Sequence, residues 1–320
     1  MVRKVVCLGE LLIDFVPESN GQALADVPAF RRAAGGAPAN VAAAVAKLGG
    51  ASRFIGKVGA DPFGAHLRAT LEEAGVDAAV IETDEARTGL AFVSLREDGE
   101  RDFLFYRHPA ADMLLRSDEV LGAWLEDAAV YHFGSVSLIA EPCRTATLDA
   151  ARRARELGAL VSYDPNVRLP LWEHAEQART EILEHIAIAD IVKVSEEEIE
   201  FLLGLGLVEG ARKLLQMGAK VAVVTLGPDG CRVLTTSSDI HISGVSVDAV
   251  DTTGAGDAFV GGFLYQLAQR GVSAGTLVDA VSDLVVCTEI FGFANRVGAI
   301  TTTRRGAIPA LPTLAEVEAR

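Results

Sequence analysis

Four times along the chain, an apolar run with helical spacing closes on a glycine and a β-type apolar stretch follows. Val41–Leu48 ends at Gly49 before Arg53-Phe54-Ile55, and Leu67–Ala74 ends at Gly75 before Ala78–Ile81. Ala150–Leu157 ends at Gly158 before Ala159–Tyr163, and Ala211–Met217 ends at Gly218 before Val221–Leu226. Glycine at such a position takes the left-handed conformation that stops a helix, so each stretch reads as an αβ unit. Val221-Ala222-Val223-Val224 is apolar on both faces, as a parallel strand covered by helices on each side requires. The pattern predicts a single three-layer α/β domain over residues 1–320 with a mainly parallel central sheet.

One segment breaks this rhythm. Gly89–Leu95 and Arg101–Arg107 are β-rich and partly alternating, and Asp98-Gly99 between them is a strong hairpin-turn pair. They predict an antiparallel flap on the α/β body. The stretch Phe15–Arg32, with Pro17, Gly21 and Pro28, has no helical period and is expected to pair with or border that flap. The flap subdomain is therefore placed at about residues 10–33 and 88–108, and no low-complexity linker separates it from the body.

Composition narrows the function. Half of the 320 residues are apolar and 23% are charged, which suits a folded globular protein. The net charge of −15 and the lack of a long Lys/Arg run disfavour nucleic acid, because phosphate backbones need clustered positive charge. Any nucleotide must then be held by backbone N–H groups, a few arginines and metal ions. The four cysteines are scattered among apolar neighbours without a CxxC pair, as buried thiols in a reducing compartment would be. Met1-Val2-Arg3-Lys4 leads into an apolar stretch too short and too charged for a signal peptide or membrane span, so the cytoplasm is expected.

The strongest chemical signal is Asp251-Thr252-Thr253-Gly254-Ala255-Gly256-Asp257, which runs directly into the apolar helical stretch Ala258–Ala268. Small residues at 254–256 let the backbone approach a ligand, and the helix N-terminus favours an anion such as phosphate. Asp257 sits at the mouth of that anion site, either as a general base or as an ordinary acid stabilising the helix start. An aspartate in that field is expected to have a low pKa. Phosphoryl transfer tolerates this, since its loose transition state asks for the proton late. Neither the P-loop spacing nor GxGxxG is present.

Other turns offer partners. Gly35-Gly36-Ala37-Pro38-Ala39-Asn40 precedes an alanine-rich helix, where Asn40 serves as a cap or as an amide for sugar hydroxyls. Asp164-Pro165-Asn166-Val167-Arg168 follows an apolar strand, at the edge where open α/β sheets bind ligands. Arg168 is a phosphate clamp or a surface ion pair there. Lys193-Val194-Ser195-Glu196-Glu197-Glu198 leads into an acidic helix start, read first as dipole stabilisation and second as a water-mediated Mg²⁺ site.

Taken together, the sequence resembles the PfkB/ribokinase-like carbohydrate kinases along essentially its whole length. The Gly-Gly…Asn motif near the start and Asp251–Asp257 near the end match that family's two signatures. Within the family it is most similar to the fructokinases, through GELLID at 9–14, FYRHPAADMLL at 105–115, DPNVRLPLW at 164–172, VKVSEEEIEFL at 192–202 and GAITTTRRGAIPALP at 298–312. The resemblance implies a ribokinase-like αβα sandwich with a small antiparallel β lid, transferring phosphate from ATP to a sugar hydroxymethyl group. For fructose the product is fructose 6-phosphate.

By position, the resemblance makes Asp257 the base and the N–H groups of Gly254, Ala255 and Gly256 the anion hole. It assigns Asp14, Gly35, Gly36, Asn40, Arg107 and Arg168 to the substrate, and Asn166, Lys193, Ser195, Thr225, Gly227, Gly230 and Asn295, with Gly254 and Gly256, to ATP. Mg²⁺ through Glu198, and K⁺ at backbone carbonyls near Asp251, Thr253, Thr302 and Arg305, are implied as cofactors. So is a homodimer formed through the lid. The departures are Ser195…Glu198 in place of Asn-x-x-Glu, and His108-Pro109-Ala110 in place of Asn-Pro-Ser. Alternative acceptors are 2-keto-3-deoxygluconate, ribose and aminoimidazole riboside, and a non-catalytic sugar-binding subunit is the reading from another class.

Overall fold

The computed structural model describes residues 3–18, 21–95 and 101–320. Its strands are β1 (Lys4–Leu8), β2 (Leu12–Pro17), β3 (Phe30–Gly35), β4 (Ser52–Gly59), β5 (Asp77–Thr83), β6 (Leu90–Leu95) and β7 (Arg101–Tyr106). They continue as β8 (Ala128–Gly134), β9 (Leu160–Asp164), β10 (Ile191–Ser195), β11 (Val221–Thr225), β12 (Cys231–Leu234) and β13 (Asp239–Ile242). The α-helices are α1 (Ala37–Lys47), α2 (Pro62–Glu73), α3 (Cys143–Glu156), α4 (Ala175–Glu184), α5 (Glu196–Leu203) and α6 (Leu207–Gln216). After them come α7 (Ala255–Gln269), α8 (Leu277–Ser282), α9 (Leu284–Thr302) and α10 (Leu314–Glu318).

Among the described residues the body is a nine-stranded sheet in the order β13-β12-β11-β10-β9-β8-β1-β4-β5. β5 through β11 in that order run parallel, and β12 is antiparallel to both its neighbours. Alternate residues of β1 enter opposite cores: Val5 and Cys7 pack with α1, α7 and α9, while Val6 and Leu8 pack with α3 to α6. This is the layered α/β arrangement that the two-faced apolar strands predict. Gly49, Gly75, Gly158 and Gly218, which close the four helical runs, all have positive φ, so left-handed backbone does end those helices. Although α9 is long and apolar enough to cross a membrane, it packs against α7 within the core.

A second, four-stranded sheet, β3-β2-β6-β7, forms the lid. β2 with β3 and β6 with β7 are antiparallel, and the two pairs join through a parallel contact in which Ile13 lies beside Leu90. Of the two expectations for this stretch, pairing with the flap is the one realised: β2 and β3 supply half of the sheet. The turn residues Asp98-Gly99 lie outside the described residues. Phe15 and Phe92 stack at 4.6 Å on one lid face, and Phe15 meets Phe63 of α2 edge-on, which seats the lid on the body.

Candidate active site

Parallel strands of one sheet bring their carboxyl ends to one edge, and the turns after β1, β8, β9 and β10 meet there beneath the starts of α1 and α7. Gly254 caps α7 with φ of 75° and lies against Ala307, where a Cβ would come within 2.8 Å of the Ala307 Cβ. Asp257 falls on the first turn of α7 and is only 8% exposed. Its Oδ2 accepts from Asn40 Nδ2 at 2.8 Å, and its Oδ1 from Asn166 Nδ2 at 3.4 Å. Two amides, from residues distant in sequence, thus face the same carboxylate.

Burial pushes the Asp257 carboxyl above its ordinary value, and the Asn40 bond, Arg168 and Lys193 only partly oppose this. The expectation of a low pKa is overturned: desolvation outweighs the favourable surroundings, and the group becomes a better proton acceptor. Asn40 is buried, and its Oδ1 has no partner, leaving an acceptor open beside the base.

The turn between β3 and α1 is built of glycine for steric reasons. A Cβ on Gly35 would stand 2.1 Å from Asp14 Oδ2, and one on Gly36 would stand 2.2 Å from the Glu10 carbonyl, with φ at +117°. Asp14 is pushed up to about 7, first by desolvation, with Arg168 opposing and Asp257 adding to the rise. The mutual influence of Asp14, Arg168 and Asp257 brings the expected sugar residues to one place. Arg168 itself is exposed, with Nη1 turned to the Asn166 and Val167 carbonyls at 3.4 and 3.2 Å.

Lys193 is buried, with Nζ 3.1 Å from Asp164 Oδ2 and 3.6 Å from where a Cβ on Gly256 would lie. Burial opposes its charge, but Asp164 and Glu198 outweigh that and raise its pKa. Asp164, passed over in the sequence because its Asp-Pro reads as a turn, thus pairs with the Lys193 ammonium beneath the Gly254–Gly256 turn. Asn166, beside it, takes φ of 45°, the only positive φ away from glycine among the described residues.

Several expected site residues stand elsewhere or are otherwise engaged. Arg107 is buried and its guanidinium is bound by Asp112, with Nε 3.0 Å from Oδ2, so it is not a free group over the sugar. Ala255 N–H donates to the Thr252 carbonyl at 3.2 Å, which removes it from the anion hole as an unpaired donor. The Thr302 carbonyl accepts from both Val250 and Asp251 N–H groups at 2.7 and 3.0 Å, so its lone pairs are taken and it is not an open cation ligand. Arg305 lies in the turn that follows α9, and Asp251 draws that turn in by accepting from Gly306 N–H at 2.9 Å and from Thr253 N–H at 3.0 Å.

Ser195 and Glu198 form a reciprocal cap at the start of α5, at 3.2 and 2.8 Å, and Glu198 Oε1 also accepts from Val167 N–H at 2.6 Å. The acidic start of α5 thus carries a capping box, with Glu198 also bound to the turn after β9. Among the described residues no group of three or more His, Cys, Asp and Glu side chains is placed to cage a metal directly. Thr225, Gly227 and Gly230 gather at the β11–β12 turn, and Asn295 Nδ2 reaches the Ile242 and Ser243 carbonyls beside it at 3.2 and 3.0 Å.

A carboxylate raised in pKa at a helix start, facing an amide with a free acceptor, can take the proton of an alcohol held beside that turn, which is what phosphoryl transfer to an alcohol asks of a base. The comparisons with known proteins agree. The profile of the pfkB family carbohydrate kinases matches residues 2–314, and the chain belongs to that family. It is 52% identical over 316 residues to Fructokinase-1 of Zea mays, covering 98% of this chain and 96% of the relative. It is similar to the crystal structure of fructokinase with bound ATP from Xylella fastidiosa, at 38% identity and a TM-score of 0.92 over 100% of this chain and 98% of that one. The fructokinase from Vibrio cholerae O395, bound to fructose, ADP and a calcium ion, is 35% identical with a TM-score of 0.86 over 99% and 98% of the two chains.

Proposed function

We propose that this carbohydrate kinase transfers the γ-phosphoryl group of ATP to the hydroxymethyl oxygen of D-fructose, giving fructose 6-phosphate. The observation that carries the reading is the 2.8 Å bond from Asn40 to Asp257, which joins the sugar turn to the anion turn across 217 residues of sequence. In this reading a sugar hydroxyl donates to Asp14 or to Asn40 Oδ1, and the attacking hydroxyl lies against Asp257. Asp257 takes its proton as the O–P bond forms and the bond to ADP breaks. The N–H groups of Gly254 and Gly256 and the Lys193 ammonium face the transferring phosphoryl, while Arg168 meets its outer oxygens. Asn166 supports the base, and Thr225, Gly227, Gly230 and Asn295 shape the nucleotide end. Fructose is favoured over 2-keto-3-deoxygluconate, ribose and aminoimidazole riboside by the 52% identity to a fructokinase.

Mg²⁺ is a hard cation that prefers oxygen donors and retains several waters. Asp164 and Glu198 are the oxygen donors beside Lys193, and both Glu198 oxygens already accept backbone N–H bonds, so Glu198 fits the role through water. The ion would neutralise charge on the ATP phosphates when bound. The K⁺ reading keeps main-chain oxygens near Asp251, Thr253 and Arg305, because the Thr302 carbonyl already accepts two N–H bonds. The four cysteines are buried and free, which supports a reducing, cytoplasmic location. Leu104 and Tyr106 of the lid are 45% and 59% exposed on the face that carries Phe92, which supports a homodimer through the lid. Assays of the purified protein with ATP, Mg²⁺ and these acceptors, with and without K⁺, test the reading. The highest kcat/KM should fall on fructose, and a preference for another acceptor, or sugar binding without turnover, would overturn it.

A further inference from the structure

The helix that carries Asn40 begins without a cap of its own. Gly36 is the N-cap of α1 and has no side chain, yet the Ala37 N–H still needs an acceptor. Glu10, in the turn between β1 and β2, supplies it: Glu10 Oε1 accepts from Ala37 N–H at 2.9 Å. The main-chain carbonyl of Glu10 also fills the space beside Gly36 that a Cβ would need, at 2.2 Å. One residue therefore holds the Gly36–Ala37 peptide with both its side chain and its backbone. From there the register passes directly to the base, because Asn40 N–H bonds the Gly36 carbonyl at 3.0 Å and Asn40 Nδ2 bonds Asp257.

The charges at the root of the lid also act on Glu10. Arg107 follows directly on the end of β7, and Gly89 directly precedes β6. Gly89 is wedged between them: a Cβ there would stand 3.2 Å from Asp112 Oδ1 and 3.3 Å from Arg107 Cγ. The Gly89 carbonyl accepts from Ile13 N–H at 3.0 Å, three residues beyond Glu10. Arg107 and Asp112 are buried, and both act electrostatically on the Glu10 carboxyl. Glu10 is only 5% exposed, and its Oε2 has no partner. A buried carboxyl with an unpaired oxygen is destabilising in itself. Its contribution to the fold alone does not account for it, whereas the geometry it imposes on the sugar turn does.

We propose that Glu10 is a positioning residue for the sugar subsite, holding the Gly36–Ala37 peptide in register with the base. The proposal rests on the sugar-kinase reading above. Its test is steady-state kinetics of Glu10→Ala, Glu10→Gln and Glu10→Asp, with KM measured separately for fructose and ATP and fructose binding measured by calorimetry without nucleotide. Glu10→Ala should raise the fructose KM and weaken fructose binding by about 10-fold or more, while the ATP KM stays within about twofold. Glu10→Gln keeps an acceptor at Oε1 and should restore fructose binding to within about threefold of native. Glu10→Asp is one methylene too short to reach Ala37 and should behave as Glu10→Ala does, which keeps the test decisive should the alanine variant not fold.

Native fructose binding in Glu10→Asp, parallel rises in both KM values, or a glutamine variant as impaired as alanine would overturn the proposal and leave the sugar reading standing. A native protein that neither binds nor phosphorylates fructose would overturn the sugar assignment, and this proposal with it.

Discussion

Replacing Gly35 with alanine puts a methyl group where the carboxylate of Asp14 now stands. The added Cβ would lie 2.1 Å from Asp14 Oδ2 and 2.7 Å from its Cγ, so the carboxylate must retreat by about 1 Å. Gly35 ends β3 in ordinary strand backbone, unlike Gly36 with φ of +117°, so the substitution tests the contact and not the backbone. Loss of one charge-assisted hydrogen bond to the sugar costs about 2 kcal/mol, or roughly 30-fold in sugar affinity. The fructose KM of Gly35→Ala should therefore rise by that order, with the ATP KM nearly unchanged and the melting temperature near native. Because the effect acts through Asp14, Gly35→Ala in an Asp14→Ala background should add little further loss. A folded Gly35→Ala enzyme with native fructose KM would refute the placement of Asp14 at the sugar.

Asn40→Ala removes both the donor to Asp257 and the free acceptor beside it. It should lower kcat and raise the fructose KM together, which initial-rate kinetics would show. Glu10 links pH to stability: burial, with Asp112 adding and Arg107 and the Ala37 bond opposing, lifts its pKa from 4.5 to about 7. The folded state then holds the proton more tightly than the unfolded one, so the contribution is full below the unfolded pKa and is lost as pH rises through about 7. The stability of the native protein relative to Glu10→Gln should fall between about pH 4.5 and pH 7, by an amount on the order of 3 kcal/mol, in denaturant titrations.

The parts of the fold that depend on local chemistry were legible in the sequence. Glycines 49, 75, 158 and 218 announced helix ends because left-handed backbone closes those turns, and the turn at the start of α7 was visible because Gly254 takes that same backbone. What depended on distant neighbours was not. Glu10 reads as a lone acid in an apolar stretch until the fold brings it to Ala37. Arg107 reads as a free cation until Asp112 is found against it, and Thr302 as a free carbonyl until two N–H groups occupy it. Burial holds the Asp257 carboxyl above its ordinary value, opposite to the expectation, because the helix start is visible in sequence and the burial is not. The parallel contact of β2 with β6 was hidden for the same reason, since pairing between separate lid segments leaves no local pattern.

The account turns on Asp257 as the group that takes the sugar proton, and Asp257→Asn tests this most directly. Asparagine keeps the shape and can still accept from Asn40, so fructose binding by calorimetry should stay within about threefold of native. Turnover with ATP and fructose should fall by roughly 10²–10⁴-fold. A variant that binds fructose and turns it over at close to the native rate would contradict the assignment of the base.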